Sequence, residues 1–438
     1  MLRIIICILV LGALGWAGFF NRQQPLSWSD NERATIASLR LADEKTLLQN
    51  VIHTGNTVWD DVAAAKLGQQ LFFDNQLSKN QAVSCATCHQ PSEGFADPQA
   101  LSIGISTTKR HSPSLLGAAF SPWFFWDGRA DSLWAQALGP LEDPAEHGAN
   151  RLQLAKLIAT KYKPQYQAIF GPISDFNHLA SHATPLSDNP LWRNNWQRMS
   201  VTDQDAVNQV FANIGKSLAA YQSRLIPSPS RFDKFAAQLL TQGSSDILNR
   251  TEQQGLKLFI SEEKGQCIRC HNGPFLTNND FQVTGIKDPR LPLGSGRLEG
   301  ITIALNSEFN CRSPYSSTQD KDTECLELDY AKSSGDELNF AFKVPTLRNI
   351  SQTAPYMHNG SFDNLQQVLH FYTRAKSQYS DTDVESKRDT STLSKQSVTH
   401  LDIEPLALAS EQLIQLEAFL NTLTSPINLD DTWLKKPN

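Results

Sequence analysis

The chain is short of positive charge and of cysteine, and both shortages exclude classes of protein. Its 438 residues include 39 Lys and Arg against 45 Asp and Glu, which gives a net charge of −6. Nucleic acid is therefore excluded as the main partner, because binding phosphates needs a positive field. Seven cysteines are unusual for a disulfide scaffold of this length, so their spacing matters more than their number. The sequence also lacks runs of alternating apolar and polar residues, which favours a mainly α-helical fold.

The composition is that of a folded protein with more than one domain. Hydrophobic residues make up 40% of the chain, too many for an intrinsically disordered protein. The length favours about two to three domains rather than one core. Ser-Pro-Ser at 228–230 interrupts a helical pattern and predicts a joint between domains at 21–227 and 228–438. The stretch 376–399, rich in Ser, Thr and Asp, is predicted to be a mobile surface insertion.

The first twenty residues have the pattern of an export signal. Arg3 precedes an apolar run without a charged residue at 4–20. This pattern is typical of a signal peptide or a short N-terminal anchor, and a buried core helix is the alternative. Cys7 lies in the run and is expected to be removed with it or to be inert in lipid. In either case we expect the rest of the chain outside the cytoplasm, in the periplasm.

A weak internal repeat spans the predicted joint. Residues 67–73 (LGQQLFF) precede CATCH at 85–89, and residues 254–260 (QGLKLFI) precede CIRCH at 267–271. Each half therefore has a short amphipathic helix followed by Cys-x-x-Cys-His, which predicts two cytochrome-c-like domains. A further helical stripe of apolar residues consists of Val207, Val210, Phe211, Ile214, Leu218 and Tyr221.

The two Cys-x-x-Cys-His motifs predict two covalently attached c-type haems. Two cysteines on one turn can each form a thioether to a haem vinyl group, and the adjacent histidine can supply an axial nitrogen to iron. A zinc site is one alternative, but zinc prefers four compact ligands. A redox dithiol is another, but it needs no trailing histidine. The predicted residues are Cys85, Cys88 and His89 for haem one and Cys267, Cys270 and His271 for haem two.

Cys311 and Cys325 remain outside these motifs. They enclose a polar loop, and in an oxidising compartment a disulfide between them is the expected state. Closing a loop of this length stabilises a fold by about 3 kcal/mol on the chain-entropy model. Two free buried thiols are the alternative.

Four motifs together resemble the bacterial di-haem cytochrome c peroxidase and MauG superfamily. They are CATCHQPSEGFAD (85–97), FFWDGRADSLWAQALGPLEDPAEHG (124–148), CIRCHNGPF (267–275) and FKVPTLRNISQTAPYMHNGSF (342–362). The likeness runs from Ala63 to Leu423. Trp134 and the loop from Phe309 to Cys325 are similar to one branch, the MbnH-like enzymes encoded with methanobactin-type copper proteins.

For haem one, the resemblance implies an open sixth coordination position. In the family's peroxidases a histidine downstream of the first motif covers that iron, whereas this chain has Ser-Ile-Gly-Ile at 102–105. His111 is the nearest histidine and stands where the family has the asparagine of an Arg-Asn-x-Pro segment. We expect an open site rather than His111 as a sixth ligand, so that peroxide reaches the iron without prior reduction.

For haem two, the resemblance implies a second axial ligand on the helix after Ala-Pro-Tyr. That ligand is methionine in typical peroxidases and tyrosine in MauG, and Tyr372 takes the position here. Leu365, Leu369 and Tyr372 also share one helical stripe, which predicts that Tyr372 is buried. A phenolate favours the higher oxidation states of iron, whereas methionine favours ferrous iron. Met357 is the rival ligand, and a core tyrosine is the alternative.

The family's peroxide sites also carry a glutamate ten residues after a glutamine. Alignment on Trp-Asp-Gly-Arg places these positions at Phe124 and Trp134, and neither side chain can take a proton from peroxide. Glu146 and His147 are the candidate replacements, with solvent-facing capping residues as the alternative. Trp123 and Trp134 are candidate relays of oxidising equivalents to a partner, although such tryptophans are more often core residues.

The resemblance implies contacts to calcium and to the haem propionates as well. In the family, backbone carbonyls of a Thr-x-Pro segment help to hold a calcium ion between the haems, and Thr353 and Pro355 match it. His111 in place of asparagine removes an oxygen ligand, and calcium prefers oxygen. Arg129 and Arg348 are natural partners of propionates, with surface or capping arginines as the alternative.

Together these features predict an enzyme that uses hydrogen peroxide to oxidise a residue on another protein. By resemblance to the MbnH-like branch, that residue is a tryptophan of a secreted, copper-binding partner and the product is kynurenine, with oxidising equivalents held at both haems. The alternative is a periplasmic cytochrome c peroxidase that takes electrons from a small c-type cytochrome. A plain electron carrier, with both irons six-coordinate and inert to peroxide, is the third hypothesis.

Overall fold

The fold is mainly α-helical, as predicted. A computed structural model describes residues 26–286, 288, 295–374, 401–426 and 431–437. In these residues the helices are α1 (Asp30–Leu39), α2 (Glu44–Leu48), α3 (Val62–Phe72), α4 (Cys85–Cys88), α5 (Leu133–Glu142), α6 (Arg151–Lys161), α7 (Lys163–Phe170), α8 (Pro190–Arg198), α9 (Val201–Gln222), α10 (Arg231–Gln242), α11 (Arg250–Ile260), α12 (Arg297–Asn306), α13 (Lys321–Glu324), α14 (Leu326–Asp329), α15 (Leu365–Tyr372) and α16 (Ser410–Asn421). Two short strands, β1 (Phe281–Gln282) and β2 (Phe342–Lys343), pair antiparallel.

Side-chain caps fix where the longer helices begin. The Ser200 hydroxyl accepts a hydrogen bond from the Asp203 amide at the start of α9, and Ser230 and Asp233 form a capping box at the start of α10. Such caps satisfy amide groups that have no partner inside the helix. The apolar stripe predicted within 205–221 lies in α9, and all of its residues are buried there.

Two hydrophobic cores hold the helices together. The first core packs α3, α5, α6 and α9, with Phe72 and Phe211 among its fully buried side chains. The second packs α1, α10, α11, α15 and α16 around Phe259 and Phe419. This arrangement agrees with the two haem domains that the sequence predicts.

One glycine in each half lets two helices cross with their backbones in contact. A Cβ atom on Gly68 of α3 would lie 1.9 Å from the carbonyl oxygen of Ser217 in α9. A Cβ atom on Gly255 of α11 would lie 1.9 Å from that of Gln415 in α16. These glycines belong to the two repeated segments that precede the Cys-x-x-Cys-His motifs. The sequence repeat therefore reflects two equivalent helix crossings.

Segments on each side of the predicted boundary at residue 228 pack in the hydrophobic core formed mainly by the other side. The joint lies in the loop between α9 and α10, but α1 packs in the second core. Phe309, from beyond the joint, packs in the first core. Near the C-terminus, the Trp433 carbonyl accepts a hydrogen bond of 2.9 Å from the Tyr221 hydroxyl. The ranges 21–227 and 228–438 stay a prediction, and packing places α1 and the tail with the opposite halves.

The predicted disulfide between Cys311 and Cys325 is confirmed, with a Cα–Cα distance of 5.6 Å. Both cysteines are buried in a small third core, together with Trp123. Ile301 of α12 and Leu328 of α14 complete this core. The disulfide therefore ties the loop after α12 to α14.

Three sequence features fall outside the described residues: the export segment at 1–20, Cys7 within it, and the insertion at 376–399. They stay predictions. Among the residues that the structure describes, no helix is both long and apolar enough to cross a membrane.

Candidate di-haem active site

The first Cys-x-x-Cys-His motif forms a single helical turn that orients its histidine. Cys85 and Cys88 begin and end α4, and the Cys85 carbonyl accepts a hydrogen bond of 2.9 Å from the His89 amide. The His89 ring donates from Nδ1 to the Phe95 carbonyl at 3.0 Å. This bond fixes the tautomer in which Nε2 carries a lone pair for a metal.

The second motif repeats this arrangement. Cys267 begins a short 3₁₀ turn, and its carbonyl accepts a hydrogen bond of 2.8 Å from the His271 amide. Nδ1 of His271 donates to the Leu276 carbonyl at 3.0 Å. Burial lowers the pKa of His271 to about 4, so the ring is neutral at physiological pH and Nε2 is available as a ligand.

One cavity of about 1160 Å³ connects the two motifs. His89 and His271 both line it, and the rings of Phe120 and Phe275, which also line it, stack 4.3 Å apart. None of the four motif cysteines forms a disulfide with another described residue. Paired thiols, oriented imidazoles and a largely apolar cavity fit two covalently attached haems.

On the side of haem one, the cavity wall contains a second candidate for the family's glutamine and glutamate pair. Phe124 lines the cavity, but Trp134 does not. Gln136 and Glu146 do line it, and Gln136 precedes Glu146 by the ten residues that separate the family's pair. This pair lies twelve positions after the one that the alignment on Trp-Asp-Gly-Arg suggests. A search of residues 124–148 for a glutamine followed ten residues later by a glutamate would have found this pair.

Glu146 has the properties of a base that works near neutral pH. Burial, with a smaller effect from the Asp143 carboxylate, raises the pKa of Glu146 to about 7. The charge of Arg129 opposes this rise. His147, the other candidate, is buried outside the cavity wall, and among the described residues neither of its ring nitrogens meets a hydrogen-bond partner. Burial lowers the pKa of His147 to about 4. The geometry therefore favours Glu146.

His111 is buried and lines the same cavity. Its Nδ1 atom donates to the Gln99 carbonyl at 3.1 Å, and burial lowers its pKa. The Trp126 indole, also in the cavity wall, donates to the His111 carbonyl at 2.9 Å. In the segment 102–105, Gly104 instead packs on the backbone of Glu146, so this segment supports the loop that carries the carboxyl group.

On the side of haem two, Tyr372 lies at the end of α15 and lines the cavity. Burial and the neighbouring thiols of Cys267 and Cys270 raise the pKa of Tyr372 well above its usual value. Its phenol group therefore lies close to the second motif. Met357, the rival, also lines the cavity.

Asn364 caps α15 and accepts a hydrogen bond from the Gln367 amide at 3.0 Å. His370 lies on the exposed face of this helix.

The two candidate relay tryptophans lie outside the cavity wall. Trp123 packs in the third core beside the disulfide. Trp134 is 1% exposed, and its ring meets that of Phe309 edge-on at 6.4 Å between centroids. Both positions are those of core aromatic residues, so the relay roles stay predictions.

Comparison with known proteins agrees with this geometry. The di-haem cytochrome c peroxidase family model matches residues 62–239. The cytochrome-c peroxidase IdrP2 of a Pseudomonas species is 29% identical over 377 residues, which cover 84% of this chain and 83% of that protein. The methylamine utilization protein MauG of Methylorubrum extorquens is 27% identical over 361 residues, 82% of this chain and 77% of that protein.

A solved structure of a MauG-like protein associated with microbial copper homeostasis has the same fold. It superposes with a TM-score of 0.55 at 22% identity, over 94% of this chain and 98% of that one. In sequence and fold, the chain is therefore similar to the di-haem cytochrome c peroxidases and MauG. This likeness supports a di-haem, peroxidase-like oxidoreductase with c-type haems as its cofactors.

Haem propionates are carboxylates that pair with cations, and two of the cationic side chains in the cavity wall are placed for such contacts. Arg129 lies 3.5 Å above the ring of Phe125 and forms an ion pair of 3.0 Å with Asp127. Lys343, which sequence reasoning missed although it lies in a recognised motif, donates to the Ser121 hydroxyl at 3.0 Å. Burial lowers the pKa of Lys343 to about 8. Both are suited to propionate groups.

Arg348 also lines the cavity, and it has structural contacts as well. Its guanidinium pairs with Asp233 at 2.6 Å and donates to the carbonyls of Leu39 and Pro274, both at 2.8 Å. These contacts tie α1, α10 and the segment after haem two together. These protein contacts account for the burial of Arg348. Its contact with a haem propionate stays a prediction.

The predicted calcium site stays a prediction. Thr353 and Pro355 both line the cavity, on the same side as Tyr356. Within the described ranges, no three His, Cys, Asp or Glu side chains form a group that could hold a metal ion.

Proposed function

We propose that this enzyme uses hydrogen peroxide to oxidise a tryptophan on a secreted, copper-binding partner protein to kynurenine. The observation that carries the proposal is one cavity whose wall contains both motif histidines together with Glu146 and Tyr372. The two motif histidines suit two haems, and Glu146 suits the reaction with peroxide. Tyr372 suits the retention of oxidising equivalents at haem two.

Glu146 would accept the proton that peroxide loses before its O–O bond breaks. A carboxyl group with a pKa near the working pH suits this role, because it is deprotonated in part of the population and can return the proton later. When bound, the haems supply the iron that takes oxidising equivalents from peroxide. Gln136, in the same wall, can donate hydrogen bonds toward the oxygen atoms.

Tyr372 is the residue that favours oxidation of a partner protein over ordinary peroxidase activity. As a phenolate it favours higher oxidation states of the haem-two iron, whereas a methionine ligand favours the ferrous state needed to accept an electron from a cytochrome. Its place at the end of α15, near Cys267 and Cys270, is consistent with a ligand of haem two.

The nature of the partner rests on the MbnH-like features and on the copper-related structural neighbour. The cavity lies between two packed cores, so a tryptophan buried in another protein cannot touch a haem. Electrons would therefore leave the partner through intervening side chains. Export guided by residues 1–20 would place the enzyme in the periplasm with such a partner, and those residues are either cleaved or kept as an anchor.

A periplasmic cytochrome c peroxidase is the second candidate function. Met357 lines the same cavity as Tyr372 and could serve as the second ligand of haem two. That arrangement would favour electrons from a small c-type cytochrome, as the resemblance to named cytochrome-c peroxidases suggests.

The experiment supplies peroxide with one of two reductants. One is reduced cytochrome c, and the other is a purified copper-binding protein encoded beside the enzyme, whose tryptic peptides are then analysed for kynurenine. We expect peroxide-dependent conversion of tryptophan to kynurenine and slow oxidation of cytochrome c.

Variants of α15 provide the matched controls. Tyr372→Met should abolish oxidation of the partner and raise the potential of haem two, whereas His370→Ala, on the exposed face of the same helix, should change neither. Rapid oxidation of cytochrome c without kynurenine would favour the second function. Kynurenine formation that persists in Tyr372→Met would rule out the role of Tyr372.

A further inference from the structure

Trp123 lies between the haem cavity and the disulfide. Its neighbours Ser121 and Phe124 line the cavity, and its ring packs in the core that contains Cys311 and Cys325. The indole is 5% exposed. A tryptophan beside a cavity that suits two haems would be at risk of losing an electron to an oxidised haem bound there.

The guanidinium of Arg297 covers this indole. It lies 3.9 Å from the centroid of Trp123 and 4.1 Å from that of Phe281, and so is placed between the two rings. Its Nη1 atom donates to the Gly128 carbonyl at 2.9 Å. A Cβ atom on Gly128 would lie 2.3 Å from that nitrogen, so a glycine with positive φ is needed there.

Arg297 keeps its positive charge in this position. Burial lowers its pKa to about 10, while the carboxylates of Asp127, Asp280 and Glu327 oppose that effect. The group is therefore protonated at physiological pH. The cation is attracted by the electron-rich face of a neutral indole.

Loss of an electron reverses this interaction. The oxidised indole is a cation, and two like charges about 4 Å apart in a buried site repel each other strongly. Stacking therefore stabilises reduced Trp123 and disfavours its oxidised form.

Trp134 shows a weaker version of the same arrangement. Nζ of Lys216 lies 5.6 Å from the Trp134 centroid and is held there by the Tyr315 carbonyl at 2.7 Å and the Ser317 hydroxyl at 2.8 Å. Both tryptophans that the sequence offers as relays thus have a cation over the ring.

We infer that Arg297 is a positioning residue that excludes Trp123 from electron transfer and so directs oxidising equivalents away from the disulfide core. The inference rests on the proposed peroxide chemistry but not on the identity of the partner. When the protection fails, one hydrogen peroxide removes two electrons from the indole. The indole gains one oxygen atom to become hydroxytryptophan, and one water is released, so atoms and electrons balance.

The test is peptide mass spectrometry of the holoenzyme after stoichiometric peroxide without partner. In Arg297→Met we expect the hydroxylated fraction of Trp123 to rise by about fivefold or more, because the opposing charge is lost. Arg297→Lys should restore most of the protection. Arg312→Met, the same substitution at an exposed arginine of the disulfide loop, should match the wild type.

A second oxidant separates this inference from the proposed function. Photoexcited ruthenium polypyridyl with a sacrificial acceptor oxidises tryptophan without peroxide or haem reactivity, and Arg297→Met should again be more readily modified at Trp123. If the enzyme is inert to peroxide, the proposed function is refuted. The photo-oxidation of Trp123 would then still test the role of Arg297. Equal modification of Trp123 in the wild type, Arg297→Met and Arg297→Lys would overturn the inference.

Discussion

Glu146 combines burial with a place in the wall of the cavity, and burial raises its pKa to about 7. The carboxyl group therefore changes charge within the physiological pH range, in contrast to an exposed glutamate. Arg129 and Asp143 act on it with opposite signs. We therefore expect the pH dependence of the peroxide reaction to follow the protonation state of Glu146.

Glu146→Gln should slow the reaction with peroxide by about 10²-fold to 10⁴-fold, the usual contribution of a positioned base. Because the deprotonated form is the base, the wild-type rate should rise as the pH increases through about 7. The variant should lose this rise. Stopped-flow absorbance of the haem bands measures both effects, and a pH profile that survives in Glu146→Gln would assign the base elsewhere.

Asp143→Asn provides the matched control for that profile. The Asp143 carboxylate raises the pKa of Glu146, so its removal should move the midpoint to lower pH and leave the maximal rate nearly unchanged. The asparagine oxygen can still accept the 2.8 Å hydrogen bond from the Ala145 amide. A large loss of rate at every pH would show that Asp143 has a direct part in the reaction.

Much of the site could be predicted from residues that are neighbours in sequence. The motif histidines, Tyr372 and Glu146 could be named because their motifs are short and local, and all four line one cavity. Gln136 was not named because the alignment was anchored on Trp-Asp-Gly-Arg alone. The covering of Trp123 by Arg297 joins residues far apart in sequence, and nothing local in either segment indicates it.

Among the helices, the two glycine crossings position the haem motifs. Gly68 and Gly255 let α3 and α11 lie against α9 and α16, and each crossing precedes a Cys-x-x-Cys-His motif. The repeat was visible in the sequence. The close helix contacts were not, because the partner helices show no matching repeat.

Gly68→Ala and Gly255→Ala should each destabilise the fold by about 1–3 kcal/mol, the usual effect of overpacking. The added methyl group would meet a backbone carbonyl at 1.9 Å, which cannot move without separating the helices. Gly139→Ala in α5 is the control, since its nearest neighbour is the Phe125 ring at 3.3 Å. Denaturant unfolding followed by circular dichroism measures the difference. Equal stability of all three variants would contradict the close crossing.

The disulfide stabilises an element that lies away from the haems. Cys311→Ser with Cys325→Ser should lower the free energy of unfolding by about 3 kcal/mol, because the loop in the unfolded chain is released. The haem absorption spectrum should stay unchanged, since neither cysteine lines the cavity. Denaturant unfolding checks the first expectation, and an altered spectrum would show that the loop supports the site directly.

At the scale of the whole molecule, two cores enclose one cavity, and the chain ties them together at its ends. α1 packs in the second core, and the Trp433 carbonyl binds Tyr221 of the first. The number of haem domains followed from the two motifs. The exchange of terminal segments could not be predicted, because it depends on surfaces that exist only after both halves have folded.

The open coordination site of haem one is tested most directly by the low-temperature EPR spectrum of the purified diferric enzyme. We expect one high-spin ferric signal from haem one and one low-spin signal from haem two. His111→Asn should leave this spectrum unchanged, because His111 is expected to line the cavity without binding iron. Two low-spin signals in the wild type would show that a sixth ligand closes haem one, and the enzyme would then need prior reduction before it could react with peroxide.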